Sequence, residues 1–353
     1  MGPGGRWWSS APEIAEAAEA RKDSGAWDWY LLGKGFLGIS SDYAGFRKRF
    51  RQLYGECRTE QPAPGSATVR CRVFRIRTKS LSFIRMKDDV ALDAVGFVHM
   101  IFPDRKFYEQ PSHLEGWRLL ADREGTADPF IAFGGDCALA PEEGPWQSLI
   151  GSLAVNRLFR LQEDVLFFHG ATVSIGGQGV LLAGPKASGK TTISLALAAR
   201  GHALLGDETA AVNTSSTTLL PMRRSLSVRT GPRAATVDHL LRTVASDSEV
   251  YPDGTSRLRA HARDLFPGPQ PSPAPLRHAF LMRSFGDEPR VESFSASLRD
   301  VGRLGPLGCS LWHADKSRMI HFFQILSKIR CHFVDVGSPD DTAALIEKTV
   351  EGS

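Results

Sequence analysis

The sequence predicts an α/β fold for the C-terminal half of the chain, preceded by an α+β domain. An apolar run at 180–183 leads into a glycine-rich loop, and residues 192–200 follow with apolar side chains at helical spacing. Beyond residue 200, short β-rich segments alternate with helical ones up to the C-terminus. Strand, loop and helix in this order indicate an α/β domain.

The N-terminal elements are predicted from composition and spacing. Residues 1–25 hold a glycine-rich start and an Ala/Glu-rich helix at 12–22, which we expect to be a flexible segment. The α+β domain is expected over 26–155 and the C-terminal domain over 156–353. The elements of the α+β domain are a strand at 27–39, a helix at 41–53 capped by Ser41 or Asp42, a hairpin of 67–77 with 80–86, strands at 97–102 and 130–133, and a helix at 146–160.

The C-terminal elements follow the same reasoning. A hairpin of 167–175 and 179–183 feeds the glycine-rich loop, and a short buried strand follows at 203–205. A proline at every second position from 267 to 275 predicts an extended, polyproline-like connector. The remaining elements are a strand at 279–282, helices at 298–304 and 321–329, a strand at 332–336, and a helix at 339–350 begun by Ser338, Asp340 or Asp341.

The glycine-rich loop, GPKASGKT at 184–191, matches the phosphate-binding pattern G-x-x-x-x-G-K-[ST] at every fixed position. Its two glycines let backbone N–H groups turn toward phosphates at the positive N-terminal end of the next helix. Lys190 is expected to reach the β- and γ-phosphates of a nucleoside triphosphate, and the Thr191 hydroxyl to face Mg²⁺. The predicted nucleotide-binding residues are Gly184, Pro185, Lys186, Ala187, Ser188, Gly189, Lys190, Thr191 and Thr192. For Lys186, a solvated loop lysine and a phosphate contact both stay open.

Two adjacent acids follow the strand after the loop's helix. Asp207 and Glu208 stand where a carboxylate can approach Mg²⁺ or deprotonate an attacking hydroxyl. An acidic loop without chemistry is the alternative. His169 lies in the strand that begins the hairpin, at 167–175.

Three segments carry a family resemblance. FHGATV, GVLLAGPKASGKT and ARGHALLGDE resemble the catalytic domain of the HPr serine kinase/phosphorylase family, and in particular its smaller kinase relatives found beside genes for peptide natural products such as lasso peptides. The resemblance covers roughly residues 165–230. A weaker one extends to Pro221, Arg224, Ser225 and Leu226, which are similar to a Pro-x-x-Arg-x-Leu pattern.

This resemblance implies a P-loop kinase domain that uses ATP and Mg²⁺. It implies a catalytic set of His169, Asp207 and Lys190, with Thr191, Asp207 and Glu208 around the metal. The implied reaction is transfer of the γ-phosphoryl group to a serine or threonine hydroxyl of a ribosomally made precursor peptide. Spacing alone does not decide which acid is the base and which faces the metal.

Departures from the family narrow this expectation. HPr kinase has two aspartates where this chain has Asp207 and Glu208, and the later glycine-rich signature of the phosphorylase reaction is missing. We therefore expect one-way phosphorylation and no role in carbohydrate regulation. A small-molecule kinase and a non-catalytic, nucleotide-dependent binding protein are the alternatives.

Composition sets outer limits on the function. The chain has 353 residues, 42% of them hydrophobic and 23% charged, which is enough for two domains with ordinary cores. A net charge of +4 suits anionic ligands but is far from a nucleic-acid-binding signature. The five widely spaced cysteines predict neither a disulfide nor a zinc site. Without a signal core or membrane-spanning run, we expect a cytoplasmic protein that binds no membrane; a homo-oligomer stays open.

Basic residues recur in two places. Arg47, Lys48, Arg49 and Arg51 share one predicted helix, where a docking surface for an acidic peptide competes with a plain solvated face. Downstream of the loop, Arg223, Arg224, Arg229 and Arg233 offer a cation for transition-state charge, against ordinary surface salt bridges.

Overall fold

The computed structural model describes residues 26–41, 44–66, 68–76, 81–87, 107–111, 117–122, 131–134, 137–141, 146–229, 241–244, 247–250, 256–268, 271–296 and 316–352. Contacts divide the chain into two units, Met1–Gln52 with Arg58–Gln162, and Leu53–Cys57 with Glu163–Ser353. The predicted elements at 12–22, 97–102 and 298–304 lie outside the described residues.

The N-terminal unit contains one nine-stranded sheet with the strand order β3-β1-β2-β4-β5-β9-β8-β7-β6. Neighbouring strands are antiparallel except β2 and β4, which run parallel. This unit has the expected α+β character. Its elements are β1 (Asp28–Leu32), β2 (Gly35–Ser41), α1 (Ala44–Tyr54), β3 (Arg58–Thr59), β4 (Thr68–Ile76), β5 (Leu81–Lys87), β6 (Phe107–Pro111), β7 (Trp117–Asp122), β8 (Ile131–Gly134), β9 (Cys137–Pro141) and α2 (Trp146–Leu161).

Several details of the N-terminal unit differ from the sequence prediction. The strand expected at 27–39 is a hairpin, because Gly33 turns the chain with a φ of 69°. Ser41 belongs to β2 and pairs with Val73, so it does not cap α1; Asp42 lies outside the described residues. The strands β6, β7 and β9 were not predicted, since their short sequences lack the alternation that marks a half-buried strand.

The C-terminal unit is built on a second sheet with the order β10-β14-β15-β19-β12-β11-β13, extended by β21 on β19 and β20 on β21. The strands β12, β19 and β21 run parallel. The elements of the main sheet and its helices are β10 (Val165–Phe168), β11 (Gly170–Ile175), β12 (Gln178–Ala183), α3 (Lys190–Ala199), β13 (Ala203–Gly206), β14 (Ala210–Asn213), β15 (Thr218–Leu220), β19 (Ala274–Phe285), β20 (Arg290–Phe294), α5 (Lys316–Leu326), β21 (Arg330–Val336) and α6 (Pro339–Glu351).

A small three-stranded sheet accompanies the main one, with the order β16-β18-β17. It is formed by β16 (Leu226–Arg229), β17 (Asp247–Val250) and β18 (Ser256–Ala260), and the short helix α4 (Ala262–Leu265) follows it.

Apolar side chains cover both faces of the main sheet. Along β12, Val180 and Leu182 join a cluster with side chains of α3 and α6, whereas Leu181 and Ala183 join a cluster with side chains of α5. Successive residues of a strand point to opposite faces, so a strand covered on both sides must be apolar throughout. This explains the continuous apolar run before the loop and confirms the predicted α/β fold.

Three further predictions for this unit need correction. The strand expected at 167–175 is broken at His169 into β10 and β11, which pair with different neighbours. The connector expected up to residue 275 ends earlier, because β19 begins at Ala274 and Pro275 pairs with Thr218. The helix expected at 321–329 is α5, which begins at Lys316 and ends at Leu326. The cap predicted for the last helix is confirmed, since Ser338 Oγ accepts a hydrogen bond from Asp341 N at 3.2 Å.

Two buried histidines sit on the adjacent strands β19 and β21. His278 Nδ1 and His332 Nε2 are hydrogen-bonded at 3.1 Å, and His332 Nδ1 is 3.1 Å from Ser293 Oγ. Burial lowers the pKa of both rings, and that of His278 falls to about 4. Both rings are therefore neutral at pH 7 and belong to the core.

This pair predicts an acid-sensitive fold. The unfolded chain protonates His278 near pH 6.5, whereas the folded protein resists protonation down to about pH 4, so the stability present above pH 6.5 is lost across this window. The expected loss is about 3 kcal/mol in the free energy of unfolding. Denaturant titrations at pH 7.5 and 4.5 measure it, with His278→Gln against His321→Gln, an exposed histidine, as the control. Equal pH dependence in the two variants would contradict the assignment.

Candidate active site

The phosphate loop, as we call the glycine-rich segment between β12 and α3, has an unusual backbone conformation. Ala187 and Gly189 adopt left-handed conformations, with φ values of 67° and 92°. A Cβ added at Gly184 would lie 2.5 Å from Ser188 Oγ and 3.0 Å from Met282 Cβ, so only glycine fits there. A left-handed alanine is costly for the chain and is typical of functional loops. The loop ends at Gly189, and α3 begins with Lys190.

Lys190 is held across this loop. Its ammonium donates to Gly184 O and Pro185 O, each at 2.8 Å, and the residue is only 7% exposed. These contacts hold the ammonium against the first two residues of the loop. Lys186, by contrast, is exposed.

Asp207 lies directly beside the loop's hydroxyl. It follows the last residue of β13 and is 2% exposed, and Thr191 Oγ1 donates to its two carboxylate oxygens at 3.0 Å each. Burial, followed by the neighbouring charge of Glu208, raises the pKa of Asp207 to about 7. The Thr191 hydrogen bond and the Lys190 charge oppose this shift. The carboxylate can therefore exchange a proton near neutral pH.

The turn that holds Asp207 is tightly packed. Gly206 bridges Met222, and a Cβ at Gly206 would lie 2.9 Å from Met222 O. The next residue, Glu208, adopts a left-handed φ of 67°. A non-glycine residue in this region is uncommon and is worth a functional explanation.

His169 meets this turn at the break between β10 and β11. Its Nδ1 lies 3.1 Å from Glu208 O, and because a carbonyl oxygen only accepts, Nδ1 carries the proton and the lone pair is on Nε2. Burial, followed by the charge of Lys190, lowers the pKa of His169 below its ordinary value. The ring is therefore a neutral acceptor at pH 7 with a fixed tautomer.

The oxygen atoms of this site suit a magnesium ion. Hydroxyl and carboxylate oxygens are the ligands that Mg²⁺ prefers, and it commonly binds through one or two carboxylates together with substrate phosphates. The described part of the chain holds no cluster of three or more His, Cys, Asp or Glu side chains suited to a metal by themselves. The charge of Glu208 raises the pKa of Asp207, and a cation would relieve this repulsion. The residues thus fit Mg²⁺ shared with a nucleotide.

Two of the downstream arginines contact side chains of the segment Leu53–Cys57. Arg223 is 8% exposed, and its Nε lies 2.9 Å from Glu56 Oε2. The Arg224 guanidinium lies 5.6 Å from the centroid of the Tyr54 ring. Burial raises the pKa of the Tyr54 phenol, and the charge of Glu208 acts on it in the same direction. The side chain of Arg229 and the whole of Arg233 lie outside the described residues.

Nothing in the sequence indicated that the segment Leu53–Cys57 belongs to the C-terminal unit. Leu53 O accepts a hydrogen bond from Ser225 N at 2.8 Å, and Cys57 Sγ contacts Arg223 O at 3.5 Å. This segment is more than a hundred residues away from the phosphate loop in sequence. Only the tertiary fold brings it to the residues directly before β16.

Part of the basic cluster predicted on α1 is engaged within the N-terminal unit. On α1, Arg47 and Arg51 both pair at 2.9 Å with the buried carboxylate of Asp28, so half of the proposed basic face stabilises the N-terminal unit itself.

Cys57 and Cys331 are buried and free, and the side chains of the other cysteines lie outside the described residues. Among the helices that the structure describes, none is both long and apolar enough for a membrane span.

Comparisons with known proteins point to one family. No family model matches the chain. The HPr kinase/phosphorylase of Paraburkholderia phymatum is 28% identical over 140 residues, which cover 33% of this chain and 43% of that protein. The protein of the same name from Burkholderia lata is 27% identical over 139 residues, with the same coverage. The matched segment spans less than half the length of these relatives.

Among solved structures, the Hpr(Ser) kinase/phosphatase of Coxiella burnetii matches 53% of this chain and 94% of that chain, with 15% identity and a TM-score of 0.26. The relationship therefore depends on the sequence similarity, which covers a third of this chain. That similarity supports an HPr kinase-like relationship for this part of the chain. The association with lasso-peptide genes stays a prediction.

Proposed function

We propose that this protein is an ATP-dependent kinase that transfers the γ-phosphoryl group to a serine or threonine hydroxyl. The observation that carries the proposal is the contact between Thr191 and Asp207, which joins the phosphate loop to a buried carboxylate of raised pKa. A phosphate-binding loop beside a proton acceptor is the arrangement that phosphoryl transfer to an alcohol needs.

In this proposal, each group has one task. The loop N–H groups and the Lys190 ammonium bind the phosphates, and Asp207 takes the proton of the attacking hydroxyl. The Nε2 lone pair of His169 accepts a hydrogen bond that orients this hydroxyl, since Nδ1 is committed to Glu208 O. Thr191 and Glu208 would hold Mg²⁺. The metal would neutralise charge that develops on the phosphate oxygens.

The proposed acceptor is a precursor peptide. Its support is the resemblance to small kinases beside peptide natural-product genes, and no contact among the described residues selects a peptide over another alcohol. A radiolabelled γ-phosphate transfer assay tests this with candidate peptides that end in serine, matched peptides that end in alanine, and small alcohols. Transfer to the serine peptides alone supports the proposal. Transfer to small alcohols alone makes the protein a small-molecule kinase, and ATP binding without any transfer makes it a nucleotide-dependent binding protein.

The reaction is expected to run in one direction. We expect no pyrophosphate when the phosphorylated product is incubated with inorganic phosphate, because Asp207 is followed by glutamate where HPr kinase has a second aspartate. A coupled pyrophosphate assay run beside the forward reaction measures this. Pyrophosphate release at a rate comparable to the forward reaction would restore the phosphorylase interpretation.

A further inference from the structure

The carboxyl ends of three parallel strands meet beside the phosphate loop. The strand β12 runs into the loop, its neighbour β19 ends at Phe285, and β21 ends at Val336. Gly286 N donates to Val336 O at 2.9 Å and keeps the last two strand ends together. Ligands of open α/β sheets bind outside the carboxyl ends of such strands.

At this edge, Phe285 is a large apolar side chain that remains 55% exposed. A Cβ built on Gly189 would lie 3.7 Å from Phe285 Cε1 and 3.9 Å from Phe285 Cζ. The ring therefore borders the last glycine of the phosphate loop. The same Cβ would lie 3.8 Å from Val336 Cγ1.

Strand order separates this ring from the acidic pair. Along the sheet, β12 lies between β19 on one side and β11 with β13 on the other. Asp207 follows β13, so the acids stand on one side of the loop and Phe285 stands on the opposite side. A triphosphate whose γ end faces Asp207 across the loop would direct its nucleoside end toward β19 and β21.

We propose that Phe285 is the platform on which the base of the nucleotide stacks. The inference rests on the proposed nucleotide-dependent function and adds to it the subsite for the base. An exposed aromatic ring offers a face to any purine, because base–aromatic stacking tolerates different bases. The neighbouring Arg283 is already engaged by Asp335 at 2.7 Å and Glu292 at 3.0 Å. The subsite is therefore assigned to stacking, and ATP and GTP are expected to depend on the ring to a similar degree.

The test compares ligands that have and lack a base. Calorimetry measures binding of Mg-ATP, Mg-GTP and magnesium tripolyphosphate to the full chain. For Phe285→Ala, we expect both nucleotides to bind about tenfold or more weakly, and tripolyphosphate to bind within about twofold of wild type. Phe285→Tyr should keep nucleotide affinity, whereas Phe285→Leu, which keeps apolar bulk without a ring, should lose a large part of it. The matched control is Ile320→Ala on α5, an apolar side chain with the same exposure of 55%.

Each other outcome overturns the inference for a different reason. Equal weakening of ATP and tripolyphosphate by Phe285→Ala would mean that the ring supports the loop and not the base. Unchanged nucleotide binding in Phe285→Ala, or equal affinity of the wild type for ATP and tripolyphosphate, would exclude a stacking subsite. A wild-type protein that binds neither ligand would contradict the proposed function itself, and the two failures are thus distinguishable.

Discussion

Replacing Lys190 is expected to lower the rate of phosphoryl transfer by roughly a thousandfold or more, because its ammonium is the buried cation of the phosphate loop. Lys190→Ala removes the charge and the stem, and Lys190→Met removes the charge alone. In both variants the carbonyls of Gly184 and Pro185 lose a donor that now lies 2.8 Å away. Initial rates of transfer at saturating Mg-ATP measure the effect.

Lys186→Ala is the control for this prediction. It removes the same charge from the same loop, but from an exposed position, and we expect less than about a tenfold loss of activity. Thermal unfolding of all three variants separates catalysis from folding, since each should retain a cooperative transition. Near-normal activity in Lys190→Met would mean that the phosphate site has been assigned to the wrong residues. Losses of the same size in Lys186→Ala would mean that Lys186 also contacts the phosphates.

The strand, loop and helix at 178–199 could be predicted because the determinants of the loop are contiguous in sequence. Gly184, Lys190 and Thr191 act through local backbone geometry, and a short motif contains all of it. Asp207 could be placed for a similar reason, as it directly follows the next strand after the loop's helix. The tautomer of His169 could not be predicted, because it depends on a break in a strand and on the left-handed turn at Glu208.

The features that sequence reasoning missed depend on pairings between distant segments. Phe285 is one apolar residue at the end of a strand, and only the parallel register of β12, β19 and β21 brings it to Gly189. Glu56 belongs to Leu53–Cys57, the part of the C-terminal unit that is distant in sequence from the rest of it, and pairs there with Arg223. Periodicity predicts elements, but it carries no information on which of them become neighbours.

Asp207→Asn is expected to reduce transfer by at least about a hundredfold, because the amide keeps the shape of the carboxylate but cannot take a proton. Affinity for Mg-ATP should change much less. The pH profile adds a signature: with a pKa raised to about 7, the acid limb of kcat/KM in the wild type should fall as pH decreases through 7. The residual activity of Asp207→Asn should lack this limb.

Stability provides the independent readout for the same residue. Because the folded protein binds the Asp207 proton more tightly than the unfolded chain does, the stability that this proton contributes at low pH is lost as pH rises from 3.8 through about 7. Asp207→Asn removes this loss, so its Tm at pH 8 should equal or exceed that of the wild type.

Calorimetry of Mg-ATP binding to Asp207→Asn and to Glu208→Gln then separates the roles of the two acids. If Asp207→Asn loses nucleotide binding together with activity while Glu208→Gln keeps binding and loses transfer, Asp207 faces the metal and Glu208 is the base.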